Sequence, residues 1–221
     1  MFDVFFISFD ETNKEENWNK LLEFHPEAKR VDGVKGINEA HLICNQECKT
    51  SNFWTVDGDN LLLRPLSIPY DPRADLLMFK SLDGIDATIS TVGAVKLWKK
   101  DSIVNTSMSK GDFCLNATRK YEEKQKVFSI HKYANTPYEA WRHTFRQTVK
   151  CYSGILPPSA LEYTERNVSK HKDLNVYSYQ GFLDAKEYVK ECKGFFPKLN
   201  LINDFDWLKS KCPKEMQPPL C

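Results

Sequence analysis

The sequence Asn52-Phe53-Trp54-Thr55-Val56-Asp57-Gly58-Asp59-Asn60 joins an apolar run to two carboxylates one residue apart. Aromatic and β-branched residues favour a buried strand, and the glycine permits a sharp turn where the strand ends. At the carboxyl end of a strand in an open α/β sheet, paired carboxylates suit a divalent cation that also holds a diphosphate. Asp-Gly is also a common turn dipeptide, so an ordinary surface turn explains the same residues. This stretch alone leaves both interpretations open.

The residues before this stretch alternate between strand-like and helix-like patterns. Apolar runs predict strands at residues 4–9 and 28–31, and apolar positions at helical spacing predict helices at residues 15–24 and 37–48. Strands that alternate with helices in this way are usually parallel and joined by crossovers. The pattern therefore predicts an α/β fold of the three-layer α/β/α sandwich type.

The residues after it are less regular. Further strands are predicted at residues 61–63, 76–79, 94–98 and 127–130. The clearest helix covers residues 137–152, where Pro137 stands near the start and Thr136 is available as the N-terminal cap. A weaker helix is predicted near residues 182–192. We therefore expect a mixed central sheet and a helical C-terminal portion.

Length and composition suit a single folded domain. The chain has 221 residues, of which 41% are hydrophobic and 13% aromatic, which argues against disorder. Its seven cysteines form no CxxC pair and no zinc-type pattern with histidine, so we expect reduced thiols and a cytoplasmic location. A monomer is also expected. No stretch is apolar for long enough to span a membrane.

Charge is unevenly distributed along the chain. Residues 1–75 hold 8 Lys and Arg against 14 Asp and Glu, whereas residues 76–221 hold 23 against 16. An acidic first part suits a cation site, and a basic second part suits an anionic partner. Arg142, Arg146 and Lys150 follow one line of the predicted helix, where they can bind a diphosphate or a nucleic-acid backbone, or simply form a solvated face.

Three acidic turns together carry a family resemblance. Asp10-Glu11, Val31-Asp32-Gly33 and Asp57-Gly58-Asp59 each follow a predicted strand, and this arrangement resembles the nucleotide-sugar half of glycosyltransferases with the GT-A fold. Residues 93–98 (GAVKLW) and 135–146 (NTPYEAWRHTFR) resemble small glycosyltransferases of bacteriophages and large viruses. Some of these relatives add sugar to 5-hydroxymethylcytosine in phage DNA. If the chain is viral, the cytoplasm expected is that of the host.

The resemblance implies a single GT-A-like domain over residues 1–221. Its nucleotide-sugar-binding half is expected at residues 1–65, its acceptor-side half at residues 66–150, and a C-terminal helical extension at residues 151–221. It also implies a nucleotide-diphosphate sugar, with uridine diphosphate as the nucleotide, for the donor. DNA that carries 5-hydroxymethylcytosine is the expected acceptor.

The resemblance further implies which residues hold the donor. The residues expected beside the nucleotide and sugar are Phe9, Asp10, Glu11, Asp32, Lys35 and Asp57. Asp59, together with Asp57, is expected to bind Mn²⁺ or Mg²⁺ at the diphosphate. His131 follows an apolar strand and is expected to complete the metal site, although a partly buried structural histidine fits the same position.

Catalysis and acceptor binding are assigned to later residues. An inverting enzyme needs a carboxylate to deprotonate the acceptor, and Glu139 and Asp112 are the candidates, whereas a retaining enzyme needs no such base. Glu139 also suits the first turn of a helix as a partner of the helix dipole. The residues expected to contact the acceptor are Lys96, Trp98, Arg142 and Arg146.

Other functions remain open on the sequence. The acceptor can instead be a glycan or a protein. A metal-dependent nucleotidyltransferase also uses paired acids at a strand end, although the first strand is not followed by a glycine-rich phosphate loop. A non-catalytic DNA-binding module agrees with the basic second part, although no helix-turn-helix, zinc-finger or basic-region pattern is present.

Overall fold

The structure is a computed structural model that describes residues 2–69, 72–84, 89–103, 113–156 and 175–217. The chain forms two compact units, Met1–Tyr133 and Ala134–Cys221. The first is built around a β-sheet and the second from helices. The division of a single domain at residues 65 and 150 stays a prediction.

The first unit contains one mixed sheet of seven strands. Its elements in chain order are β1 (Asp3–Ser8), α1 (Lys14–Phe24), β2 (Lys29–Asp32), α2 (Ile37–Glu47), β3 (Asn52–Asp57), β4 (Asn60–Leu62), β5 (Leu76–Asp83), β6 (Ile89–Lys99), α3 (Phe113–Ala117) and β7 (Tyr121–His131). The strand order is β2-β1-β3-β6-β5-β7-β4. Strand β1 is parallel to β2 and β3, whereas β6 is antiparallel to β3 and β5. The expected α/β class with a mixed central sheet is confirmed.

Helices cover both faces of this sheet. Side chains alternate along a strand, so neighbouring residues of β1 face opposite sides. Phe6 packs in one apolar cluster with Leu21 of α1, and Phe5 packs in the other with Cys44 of α2. The first unit is therefore a three-layer sandwich, as the sequence predicted.

The second unit consists of helices around its own apolar core. It contains α4 (Pro137–Tyr152), α5 (Asn175–Cys192), α6 (Phe196–Leu199) and α7 (Phe205–Lys211), with short 3₁₀ turns at Asn200–Asn203 and Lys214–Met216. Trp141 and Phe145 of α4 stack with ring centroids 4.8 Å apart and pack against Ala185 of α5. The helical C-terminal portion is confirmed.

The cysteines and helices agree with two further expectations. Cys44, Cys48, Cys114, Cys151, Cys192 and Cys212 are free thiols. Across the described ranges, none of the helices combines the length and the apolar character needed to cross a membrane. The location in the cell stays a prediction.

Candidate active site

The strand ends of the first unit bring the expected donor-binding acids together. Strands β1, β2 and β3 run parallel, so they end at the same edge of the sheet. The register sets Ser8 beside Asp32 and Ile7 beside Asp57. The acids at the ends of β2 and β3 therefore flank the end of β1, as expected for ligand binding in an α/β sheet.

Asp32 is held by two donors from α1 and β1. The Ser8 hydroxyl donates to Asp32 Oδ1 at 2.6 Å, and Lys14 Nζ donates to the same oxygen at 2.9 Å. Burial opposes ionisation of this carboxyl, but these two donors outweigh it and lower the Asp32 pKa below its usual value. The side chain is 42% exposed, so an ionised carboxylate faces solvent at this edge.

Asp57 forms a buried ion pair with Lys96 of β6. Lys96 Nζ donates to both carboxylate oxygens of Asp57, at 2.8 and 2.7 Å. Strand β6 sets Lys96 opposite Thr55, and Asp57 lies two residues further along β3 on the same face. Burial opposes the charge on Lys96, but the Asp57 carboxylate outweighs this and raises the Lys96 pKa. Lys96 is therefore an ammonium ion fixed under Asp57.

Asp59 meets His131, as the expected metal site requires. Strand β4 pairs with β7 and sets Asn60 opposite His131, so Asp59 lies beside the imidazole. Asp59 Oδ2 is 3.0 Å from His131 Nε2, although the two residues are 72 positions apart in the chain. Burial lowers the His131 pKa, but Asp59 outweighs burial and the pKa is raised overall. Both side chains are partly exposed, at 26% and 20%.

The Gly58 turn between the two acids is held from α1 and from Glu11. The Asn17 amide donates to the Gly58 carbonyl at 2.8 Å, and Asn17 is fully buried. A Cβ atom on residue 58 would lie 2.7 Å from Glu11 Oε2, so only glycine fits against that carboxyl group. Burial, followed by repulsion from Asp59, raises the Glu11 pKa to about 7. Glu11 therefore carries a proton more readily than an ordinary glutamate.

The Asp59–His131 pair fits a cation that shares its ligands with a substrate. Across the described residues, no group of three or more His, Cys, Asp or Glu side chains is arranged to hold a metal ion. Mg²⁺ is usually bound by one or two protein carboxylates, with waters and substrate phosphates as its other ligands. A carboxylate beside an imidazole nitrogen at 3.0 Å supplies this partial set.

The remaining donor residues lie around the same sheet edge. Phe9 and Asp10 follow β1, where Lys14 Nζ donates to the Phe9 carbonyl at 2.8 Å and Glu11 accepts from the Phe9 N–H at 2.7 Å. Lys35 is exposed in the loop between β2 and α2. Their contacts with a nucleotide stay predictions.

Glu139 closes the first turn of α4. Its N–H donates to the Thr136 hydroxyl at 3.2 Å, and its carboxylate accepts from the Asn135 N–H at 3.0 Å. The second bond reaches Asn135, one residue before the N-cap Thr136, so the arrangement is similar to a capping box and explains a buried glutamate at this position. The role of Glu139 as a base stays a prediction, and Asp112 lies outside the described residues.

Two of the expected acceptor residues are enclosed in the first unit. Trp98 is fully buried, packs against His41 of α2 and donates from Nε1 to the Thr55 hydroxyl at 3.0 Å. Neither face of its ring is exposed to solvent, so a base cannot stack on Trp98 in this structure. Lys96 is bound to Asp57, as described above, and is buried, so its contact with an acceptor is not seen in this structure.

The other two lie on α4 in the second unit. Arg146 donates from Nε to the Ile202 carbonyl at 2.9 Å, and its guanidinium lies 5.6 Å from the centre of the Phe205 ring. The Arg142 guanidinium lies 4.9 Å from the same ring. These contacts stabilise the unit itself, and binding of an acceptor by the two arginines stays a prediction.

Several residues of the site were missed by the sequence patterns. Besides Ser8, Lys14 and Asn17, they include the buried Asp83 at the end of β5, which accepts from the Tyr133 hydroxyl at 3.0 Å. Ser8 and Asp83 each end a strand, so a search for polar residues at strand ends would have found them. Asn17 shows no such signal, because a polar residue in a helix normally faces water.

Comparison with known proteins gives distant structural similarities. No family model matches this sequence, and none of the curated proteins matches it. The fold is similar to a glycosyltransferase involved in the glycosylation of the major capsid of PBCV-1, with 10% identity and a TM-score of 0.41, over 61% of this chain and 94% of that chain. It is also similar to HddC from Yersinia pseudotuberculosis, with 13% identity and a TM-score of 0.35, over 58% and 92% of the two chains. Likeness this distant assigns no activity, so function is argued from the site.

Proposed function

We propose that this protein is a glycosyltransferase that binds a uridine-diphosphate sugar together with Mn²⁺ or Mg²⁺. The observation that carries the proposal is the meeting of Asp59 with His131 at the sheet edge where Asp32 and Asp57 also lie. A metal-nucleotide site needs a partial ligand set beside hydrogen-bonding groups for the nucleoside. This arrangement supplies both.

The nucleoside would be bound at the ends of β1 and β2. Among the described residues, Ser8 and Lys14 both donate to Asp32 Oδ1, so Oδ2 can accept from an N–H of the base or a hydroxyl of the ribose. The lowered pKa keeps this acceptor ionised at neutral pH. Asp57, held by Lys96, would accept from the ribose or the sugar.

The diphosphate would lie beside Asp59 and His131. These two side chains would hold the ion, which when bound neutralises charge on the leaving diphosphate. Asn60 Nδ2 donates to Asp59 Oδ1 at 2.7 Å and orients the carboxylate. The acceptor hydroxyl must lose its proton in an inverting reaction, and the candidate bases remain Glu139 and Asp112.

Binding of the donor tests this proposal directly. We expect uridine-diphosphate sugars to bind in calorimetric titration with Mn²⁺ and much more weakly in EDTA. Asp59→Asn should abolish turnover and the Mn²⁺ effect while the melting temperature changes little, because the side chain lies at the edge of the sheet. Wild-type turnover in this variant at saturating Mn²⁺ would contradict the metal role.

The acceptor we propose is 5-hydroxymethylcytosine in DNA. Support comes from the sequence resemblance and from the excess of Lys and Arg in residues 76–221. An enzyme that modifies a base in a duplex must take it out of the stack and hold the flanking phosphates. Incubation with labelled donor sugars should therefore label hydroxymethylated DNA and leave unmodified DNA unlabelled.

The same assay separates the alternatives. Label on a glycan or protein but on no DNA would leave the glycosyltransferase and change its acceptor. Release of diphosphate from a nucleoside triphosphate and a sugar phosphate would indicate a nucleotidyltransferase instead. Binding to DNA without any transfer from several donors would indicate a non-catalytic module.

A further inference from the structure

We infer that Lys96 is a positioning residue of the donor site, which fixes the Asp57 carboxylate as a hydrogen-bond acceptor for the donor and keeps it away from the metal ion. The inference rests on the proposed function. It replaces the expected contact of Lys96 with an acceptor by a role under the nucleotide sugar.

The geometry of the ion pair supports this role. Lys96 donates to both oxygens of Asp57, so the lysine covers the edge of the carboxylate that would otherwise bind a cation in bidentate fashion. The Lys96 side chain is 4% exposed and the Asp57 side chain is 31% exposed. The lysine therefore approaches from the interior, and the rest of the carboxylate is presented outward.

Lys96 also has little freedom to leave this position. It extends from a central strand, and the helix above it contributes His41, which is fully buried and packs on Trp98 with ring centroids 5.2 Å apart. Burial and the nearby Lys96 lower the His41 pKa to about 3, so the histidine is neutral and adds no second charge. A buried ammonium that loses its only counter-charge is strongly destabilised, and among the described residues Asp57 is the carboxylate that pairs with it.

Asp59 differs from Asp57 in the chemistry of its partner. The partner of Asp59 is the His131 imidazole. A neutral imidazole nitrogen is a common metal ligand, so it can exchange this hydrogen bond for a bond to a metal ion. An ammonium ion has no lone pair and cannot do so. We therefore assign Asp59, which faces the imidazole, to the metal ion. Asp57, which faces Lys96, is assigned to the sugar or ribose.

Mn²⁺ binding measured by electron paramagnetic resonance, without nucleotide, tests the inference apart from activity. In Lys96→Met the Asp57 carboxylate is released to join Asp59 and His131, so we expect tighter Mn²⁺ binding than in the wild type. In Asp57→Asn we expect a smaller loss of Mn²⁺ affinity than in Asp59→Asn, because Asp57 acts on the ion through its charge and does not bind it. Asp59→Asn should lower it by about tenfold or more, since even a hydrogen-bond partner of a ligand is worth that much.

Binding of uridine diphosphate with Mn²⁺ provides the second readout. Lys96→Met and Asp57→Asn should each weaken it, and the double variant should weaken it no further, because both act through one contact. The double variant also removes the unpaired buried charge, so it should recover thermal stability lost in Lys96→Met without recovering nucleotide affinity.

Three results would overturn the inference. These are Mn²⁺ affinity that is unchanged or weaker in folded Lys96→Met, a loss in Asp57→Asn as large as in Asp59→Asn, or nucleotide affinity that returns with stability in the double variant. Each would leave the proposed function intact. A wild-type protein that binds neither Mn²⁺ nor uridine diphosphate would instead remove the proposed function, and the inference with it.

Discussion

Single residues of the site are arranged so that each acid has a different partner. Asp32 is held by Ser8 and Lys14, Asp57 by a buried lysine, and Asp59 by an imidazole. Carboxylates this close repel one another when they lack such partners. These partners offset part of the repulsion among the acids, and the raised pKa of Glu11 reflects the part that remains together with burial.

Glu11 should make stability depend on pH. Its pKa is raised from 4.5 to about 7, so between these values the folded protein holds a proton that the unfolded chain has lost. This contribution to the free energy of unfolding is complete below pH 4.5 and is lost as the pH rises towards 7, in total about 3 kcal/mol. The lowered pKa of His41 gives a slope of opposite sign in much of the same range, and this slope is common to wild type and Glu11→Gln. The contribution of Glu11 is therefore the difference in unfolding free energy between the two proteins, which should shift against the wild type by about this amount as the pH rises from 4 to 8 in denaturant unfolding.

Glu23→Gln is a matched control for that series, because Glu23 lies in α1 and its side chain is 60% exposed. It should keep the wild-type slope. A difference between wild type and Glu11→Gln that stays constant from pH 4 to 8 would show that Glu11 does not carry this pH dependence.

His131 and His25 should separate metal binding from stability. His131→Ala is expected to weaken Mn²⁺ binding strongly and to lower the melting temperature little, because the side chain is partly exposed beside Asp59. His25 is buried and its Nε2 accepts from the Leu66 N–H at 2.9 Å, so His25→Ala should do the opposite. Calorimetric Mn²⁺ titration and thermal unfolding measure both effects. A large loss of melting temperature in His131→Ala with unchanged Mn²⁺ binding would identify a structural histidine.

Whole elements were predicted well where the local pattern agrees with the packing. The bounds of α4 match the expected residues 137–152, because Thr136, Pro137 and an apolar stripe all specify the same helix. Strand β7 begins at Tyr121, six residues before the expected start. Its first half is largely exposed and polar, and it is a strand because it pairs with β5 rather than because of its own pattern.

Partners across the sheet were harder to predict than the strands themselves. The structure brings Asp59 to His131, two residues of the expected metal site, and metal binding stays a prediction. The pairing of Asp57 with Lys96 was not foreseen. Both depend on register between strands distant in sequence, and a shift of one residue reverses every side chain. Trp98 illustrates the same point, because its burial depends on α2 lying over β6.

The N-terminal hydrogen bonds of α4 allow the two roles of Glu139 to be separated. A glutamine side-chain oxygen can also accept from the Asn135 N–H, so Glu139→Gln should leave the melting temperature close to wild type. Thr136→Ala removes the cap and should cost about 1 kcal/mol of unfolding free energy. Loss of turnover in Glu139→Gln at unchanged stability would support the base, and full turnover would exclude it. Thermal unfolding and a donor-turnover assay on both variants give the answer.

At the scale of the whole molecule, the site combines the acidic and basic parts of the chain. Asp32, Asp57 and Asp59 come from residues 1–75, whereas Lys96 and His131 come from the basic remainder. Some basic residues of the second part therefore pair with acids of the first part inside the protein. Only the basic side chains that are not paired in this way can attract a polyanion. The uneven distribution of charge along the chain is therefore weak support for a DNA acceptor by itself.

The pairing of β4 with β7 also determines when this site can form during folding. Asn60 pairs with His131, so the short edge strand has to wait until the chain has been synthesised and folded to the end of β7. Contacts this distant in sequence form slowly, because the loop between them must be ordered first. On the ribosome, a nascent chain that ends before residue 121 can join Asp57 to Lys96 but lacks the partner of Asp59. Binding competence should therefore be the last property that the first unit acquires, and a chain stalled earlier would expose the edge of β5 to other strands.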